Sequence, residues 1–183
     1  MLTPEWNNDV LKFWFAEAGP VYWFNKEAAF DASVRRRFLA LYDELANCAN
    51  DLLLADARTA LAAVVVFDQM PRNMFRDTPG AFATDRRALS IAQQAIDRGF
   101  DEGLTKDERM FLYLPFEHAE DAAAQARSVM LMATLDDPEL TKWAEEHRRI
   151  IDRFGRFPHR NRVLGRTSTP EEASFLTQPG SCF

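Results

Sequence analysis

The chain has 183 residues, 47% of them hydrophobic, with a net charge of −6. That size and apolar content suit one globular domain and exclude a disordered chain, and the acidity argues against general nucleic-acid binding. No apolar run is long enough to cross a bilayer, so no membrane association is expected.

In chain order, Thr3 and Pro4 read as an N-cap and a first helical position. They open a helix through "EWNNDVLKFWFAEAG" that Gly19-Pro20 ends. Leu11, Trp14, Phe15 and Ala18 share one face of it. After the aromatic connector "PVYWFNKEAAF", a long helix is predicted from about Asp31 to Leu53, with Val34, Phe38, Leu41, Leu45 and Cys48 at helical spacing. "TALAAVVVF" (59–67) is apolar all round. It is taken as a buried central helix, with Pro71 ending it. Thr84 is predicted to cap a helix through "DRRALSIAQQAIDRG", closed by Gly99. "TKDE" (105–108) has capping-box form, and Pro115 is expected to kink that helix or to start a new one. Pro138 opens a further helix carrying Trp143, His147 and Ile150. "TPEE" (169–172) caps a last short one with Phe175 and Leu176. No strand alternation, linker or repeat is visible. The expectation is one all-α domain spanning residues 1–183.

Two cysteines, Cys48 and Cys182, are too few for a disulfide framework, and the start "MLTPEWNNDV" lacks the basic and apolar regions of a secretory signal. A cytoplasmic location is expected. Charge is uneven along the chain. Residues 148–166 hold seven arginines against Asp152, a local +6 that leaves −12 for the rest. Such a block either neutralises carboxylates of its own fold or receives a small anion.

Three polar motifs interrupt the helices: "FDQMPRNMFR" (67–76), "YLPFEHAE" (113–120) and "RFGRFPHRNRVLGRTSTPEE" (153–172). Together with "AFATDRRAL" and the ending "FLTQPGSCF", they closely resemble the bacterial domain of unknown function 924 family, over about Asp9 to Phe183. The resemblance implies a right-handed antiparallel helical array of about seven to nine helices, similar to tetratricopeptide-like superhelices. It implies no established activity. Two departures stand out: Ala119 replaces the serine common in that family's "EHxE" motif, and "DLLLADAR" lacks the frequent tryptophan.

Read physically, Asp68 lies at the edge of an apolar run and needs a cation, either Arg72 four residues on or an arginine of the later block. Arg72, Asn73 and Arg76 either serve that structural role or face a ligand. Glu117, His118, Glu120 and Asp121 would fall in the first turns of a helix starting at Pro115, where the macrodipole favours acids. Glu117 and His118 are adjacent and point apart, so no metal is expected, and no cofactor motif is present. Arg156, His159, Arg160, Arg162 and Arg166 cannot all be buried without partners, while Gly155 and Gly165 permit unusual backbone angles and Pro158 stiffens the segment between them. They read as an ordered loop that is either a clasp onto Asp68, Glu117 and Glu120 or an anion pocket.

The candidate ligand-binding residues are therefore Asp68, Arg72, Asn73, Arg76, Glu117, His118, Arg156, His159, Arg160, Asn161 and Arg166. The expected partner is a small anionic molecule or an acidic peptide. Two alternatives stay open: an enzyme acting on a phosphorylated or carboxylated metabolite, with His159 or His118 as acid and base, and purely structural motifs with function elsewhere. No catalytic signature, oligomeric state or ligand identity is legible.

Overall fold

The computed structural model describes residues 5–181, which are helical with no strand. The Thr3-Pro4 cap and Cys182 lie outside these residues. Among the described residues, no helix is long and apolar enough to cross a membrane. The chain forms two compact units. One holds residues up to Arg76 with Gly80–Pro115; the other holds Asp77–Pro79 with the chain from Phe116 onward.

In the first unit, α1 (Trp6–Leu11) runs into a π-helical stretch, Lys12–Ala18, and Pro20 opens α2 (Pro20–Trp23). Trp14 is fully buried, and the Trp23 indole N–H donates to its carbonyl at 2.8 Å. The helix expected over 31–53 is instead α3 (Ala28–Ala46) and a separate turn, α4 (Asn50–Leu53). Arg87 explains the break. It donates to the carbonyls of Ala46 at 2.7 Å and of Cys48 and to Asn50 Oδ1 at 3.1 Å, while its guanidinium lies 4.5 Å from the Phe67 ring centre. Carbonyls that would accept from the next helical turn are thus drawn sideways.

The apolar run forms α5 (Ala57–Val64), N-capped by Asp56, which accepts from the Thr59 N–H at 2.8 Å. Residues 60–67 are all fully buried, as the absence of a polar face demands. Pro71 does not end this helix. A π-helical stretch, Val65–Gln69, leads into α6 (Met70–Met74), which contains the proline. Proline lacks an N–H and clashes with the carbonyl four residues back, which is that of Phe67. The widened turn accommodates the ring, and the Thr84 hydroxyl donates to Phe67 O at 2.7 Å. Thr84 therefore does not cap α7 (Asp85–Asp97) through its side chain, contrary to expectation. α1 and α7 pack on α5, and α3 packs on α6. The Thr105–Glu108 capping box opens α8 (Lys106–Glu117).

Pro115 lies inside α8 and starts no new helix. Glu117 is thus a helix-terminal residue, and Glu120 lies in a loop. Of the acids expected in a first helical turn, Asp121 has the N-terminal role. It caps α9 (Ala122–Ala133), accepting from Ala124 N–H at 2.8 Å. In the second unit α9 packs against α10 (Pro138–Phe154), which Asp137 caps and Gly155 closes in the left-handed region at φ 69°. A short 3-10 turn (Pro158–Arg160) and α11 (Pro170–Phe175) follow. Ile150, Ile151 and Phe157 form the core here, flanked by Phe154 and Phe175.

Candidate functional site

The first motif resolves into ion pairs. The Arg72 guanidinium meets both oxygens of Asp85 at 2.9 and 3.1 Å, donates to the Asp68 carbonyl, and lies 3.7 Å from the Asp68 carboxylate. Asp68 is fully buried and also accepts from Gln69 at 2.5 Å. Arg76 binds both oxygens of Asp31 at 2.5 and 2.7 Å, and Asn73 adds a bond at 2.8 Å. Burial alone would raise the Asp31 carboxyl, but the bonds from Arg76 and Asn73 outweigh it and hold the pKa below its ordinary value.

The basic segment is partly a clasp, as one of the two sequence readings had it, and Glu120 is among its carboxylates. Arg156 grips both oxygens of buried Glu172 at 2.7 and 2.9 Å and donates to the Thr167 carbonyl. Buried Asn161 donates to Glu172 at 3.3 Å and to Ser168 at 3.1 Å. The Glu172 side chain also accepts from the Thr169 N–H at 2.7 Å, which closes the capping box of α11. Arg156, opposed by burial and helped by the Thr169 N–H, pulls the Glu172 carboxyl down to about 2.

Gly165, at φ 67°, turns the chain so that Arg166 returns to Asn161. Arg166 then binds Glu120 at 2.6 and 2.9 Å and the Phe157 carbonyl at 3.1 Å. Glu120 also accepts from the Phe157 N–H at 2.8 Å. Burial opposes ionisation of Glu120, but Arg166, the Phe157 amide and the charge of Arg160 hold its pKa below the ordinary value.

A different arrangement surrounds Phe157, which has no exposed surface. Its ring lies 5.7 Å from the His147 ring, edge-on, and 5.6 Å from the His159 ring. The Arg160 guanidinium, on a side chain buried to 6% exposure, sits 4.6 Å from the same ring centre. His147 Nδ1 is 2.8 Å from the Trp143 carbonyl and 3.2 Å from Glu117 Oε1. Both neighbours are acceptors, so Nδ1 carries the proton and Nε2 holds the lone pair. Burial first, then the nearby positive potential of His118, Arg160 and His159, pushes the His147 pKa down to about 3, against the Trp143 carbonyl. His147 and Glu117 are buried, whereas His118 and His159 are half-buried.

All three histidines of the chain thus belong to one cluster in the second unit. Six sequence candidates meet or neighbour one another there or beside it: Glu117, His118, His159, Arg160, Arg166 and, through Arg166, Asn161; Arg156 joins Asn161 at Glu172. Asp68, Arg72, Asn73 and Arg76 form their own pairs in the first unit. Among the described residues, no group of three or more His, Cys, Asp or Glu side chains is placed to hold a metal. A surface cleft at the turn between α9 and α10, lined by Asp136, Asp137, Thr141 and Lys142, shares no residue with the cluster.

Sequence reasoning missed His147 as a site residue, although it lies on the apolar face of α10 with Trp143 and Ile150. It missed the carboxylates Asp31, Asp85 and Glu172 as arginine partners, since each is remote in sequence from its arginine.

The family described as a bacterial protein of unknown function (DUF924) matches residues 10–180, and the chain belongs to that family. A solved structure of a protein of unknown function from Agrobacterium tumefaciens is similar to it at 46% identity. The likeness covers 93% of this chain and 96% of that one, with a TM-score of 0.88. No curated protein matches the chain.

Proposed function

We propose that the protein binds a small anionic ligand, a carboxylate or phosphate, at the histidine cluster of the second unit. The observation that supports this reading is the division of the cluster into two layers of exposure. His118 and His159 are half-buried and can meet a ligand from solvent, while Arg160 and His147 are buried. Arg160 supplies a fixed positive charge that never titrates, and each imidazole can donate to an anion. Arg156 and Arg166, already bound to Glu172 and Glu120, hold the loop that carries His159 and Arg160. The ligand needs few ordering changes there, which favours affinity.

Because the chain has three histidines, their imidazole resonances report the site directly. Titrating the protein with inorganic phosphate and with succinate is expected to shift the His118 and His159 signals and raise Tm. His159→Ala is expected to abolish both effects while leaving the fold intact. Unmoved imidazole signals with every small anion tried, at millimolar concentration, would sink the proposal.

A further inference from the structure

Two acceptors inside α9 carry a separate inference, independent of the anion site. Gln125 and Ser128 are fully buried and stand one helical turn apart. The orientation of the Gln125 amide is set by its nitrogen, which donates to the carbonyls of Glu117 at 2.6 Å, Ala119 at 2.8 Å and Phe116 at 3.4 Å. Its oxygen must then point away from that carbonyl group. Among the described residues, neither Gln125 Oε1 nor Ser128 Oγ has a hydrogen-bond partner. Buried polar atoms are almost always satisfied, and ordered water commonly does it.

Residues three apart on a helix have Cβ atoms about 5–6 Å apart, a span that one molecule bridges with two bonds of about 2.8 Å each. We propose that Gln125 Oε1 and Ser128 Oγ together hold one ordered internal water. The water donates to the amide oxygen and exchanges donor and acceptor roles with the hydroxyl, which is both. Its place gives it a task. Gln125 clamps the end of α8, where Glu117 and His118 are set, so a water that fixes Gln125 also fixes that turn.

A crystal structure of the full chain at atomic resolution tests this. The expected result is an ordered water at about 2.7–3.2 Å from both oxygens, and its loss in Ser128→Ala. That variant is also expected to melt about 2–4 °C lower, because Gln125 Oε1 loses its bridge. No density at the wild-type site overturns the proposal. So does a Ser128→Ala crystal that keeps the water unchanged, since the hydroxyl then holds nothing. A rise in Tm overturns it as well, because removing an unsatisfied hydroxyl would then be the whole effect.

Discussion

The two units use the same residue types to different ends. In the first, Arg72 and Arg76 meet both oxygens of Asp85 and of Asp31 respectively, while Asn73 donates to Asp31 and Gln69 to Asp68. In the second, Arg156 and Arg166 make the same two-point pairs with Glu172 and Glu120. Beside those pairs stand groups the first unit lacks: the His147 and His159 imidazoles gathered with the Arg160 guanidinium at Phe157, and His118 close enough to act on His147. Arginine–carboxylate pairs set geometry and keep their charges across the whole neutral range. Imidazoles are the side chains whose charge changes near neutrality. The difference teaches that arginine–carboxylate pairs recur in both units, so the proposed site rests on the histidines and not on the arginine-rich motifs.

The strongest way to break the second arrangement is to remove its centre. Phe157→Ala deletes a fully buried ring and is expected to cost about 3–5 kcal/mol, read by denaturant unfolding. His159 and Arg160 lose their common support, so the variant should also lose any anion response. Retention of full stability would show that the cluster does not depend on the ring.

Next in size is a pH effect. His147 has a folded pKa of about 3, below the ordinary 6.5, so the unfolded chain takes up the proton first. Its contribution is therefore fully present above the unfolded value and is lost as pH falls towards the folded one. The slope from this residue is about 1.4 kcal/mol per pH unit once the unfolded imidazole is protonated. His147→Gln keeps a donor for the Trp143 carbonyl and should flatten the stability profile between about pH 6.5 and 5. Equal slopes in the two proteins would refute the buried neutral imidazole.

How far the sequence announced these arrangements follows from the range of the forces involved. The fully apolar α5, the capping boxes at Thr105 and Thr169, and the glycine turns at 155 and 165 rest on local chemistry, and the chain states them directly. The failures at Pro71 and Thr84 share one long-range cause. The threonine hydroxyl binds the Phe67 carbonyl, which proline cannot satisfy, and no local pattern encodes a bond across seventeen residues. The break after Ala46 likewise depends on Arg87, about forty residues away. In the candidate site, the motif residues were visible because polar groups interrupted apolar patterns. Their partners were not, because an Asp31 or a Glu172 looks like any acid on a helix. His147 was hidden among the apolar positions of α10.

Smaller effects separate the charges that fix geometry from those that do not. Arg76→Lys preserves the charge opposite Asp31 but loses the planar two-point contact, and should cost about 1 kcal/mol. A melting temperature equal to the parent's would mean that the first motif works by charge alone.

Arg162 gives the smallest expected effect and the sharpest contrast. It belongs to the same basic block as Arg156, Arg160 and Arg166, yet its side chain is 83% exposed and lies 3.8 Å from Asp77, itself 76% exposed. Pairs of this kind contribute little, because solvent screens them and both chains lose freedom in forming them. Arg162→Ala should therefore leave Tm and phosphate binding unchanged. A several-fold loss of phosphate affinity would instead mean that the +6 of the block attracts anions as a diffuse field. The ordered contacts at Phe157 would then be scaffolding for that charge, and the histidines would lose their place as the ligand's partners.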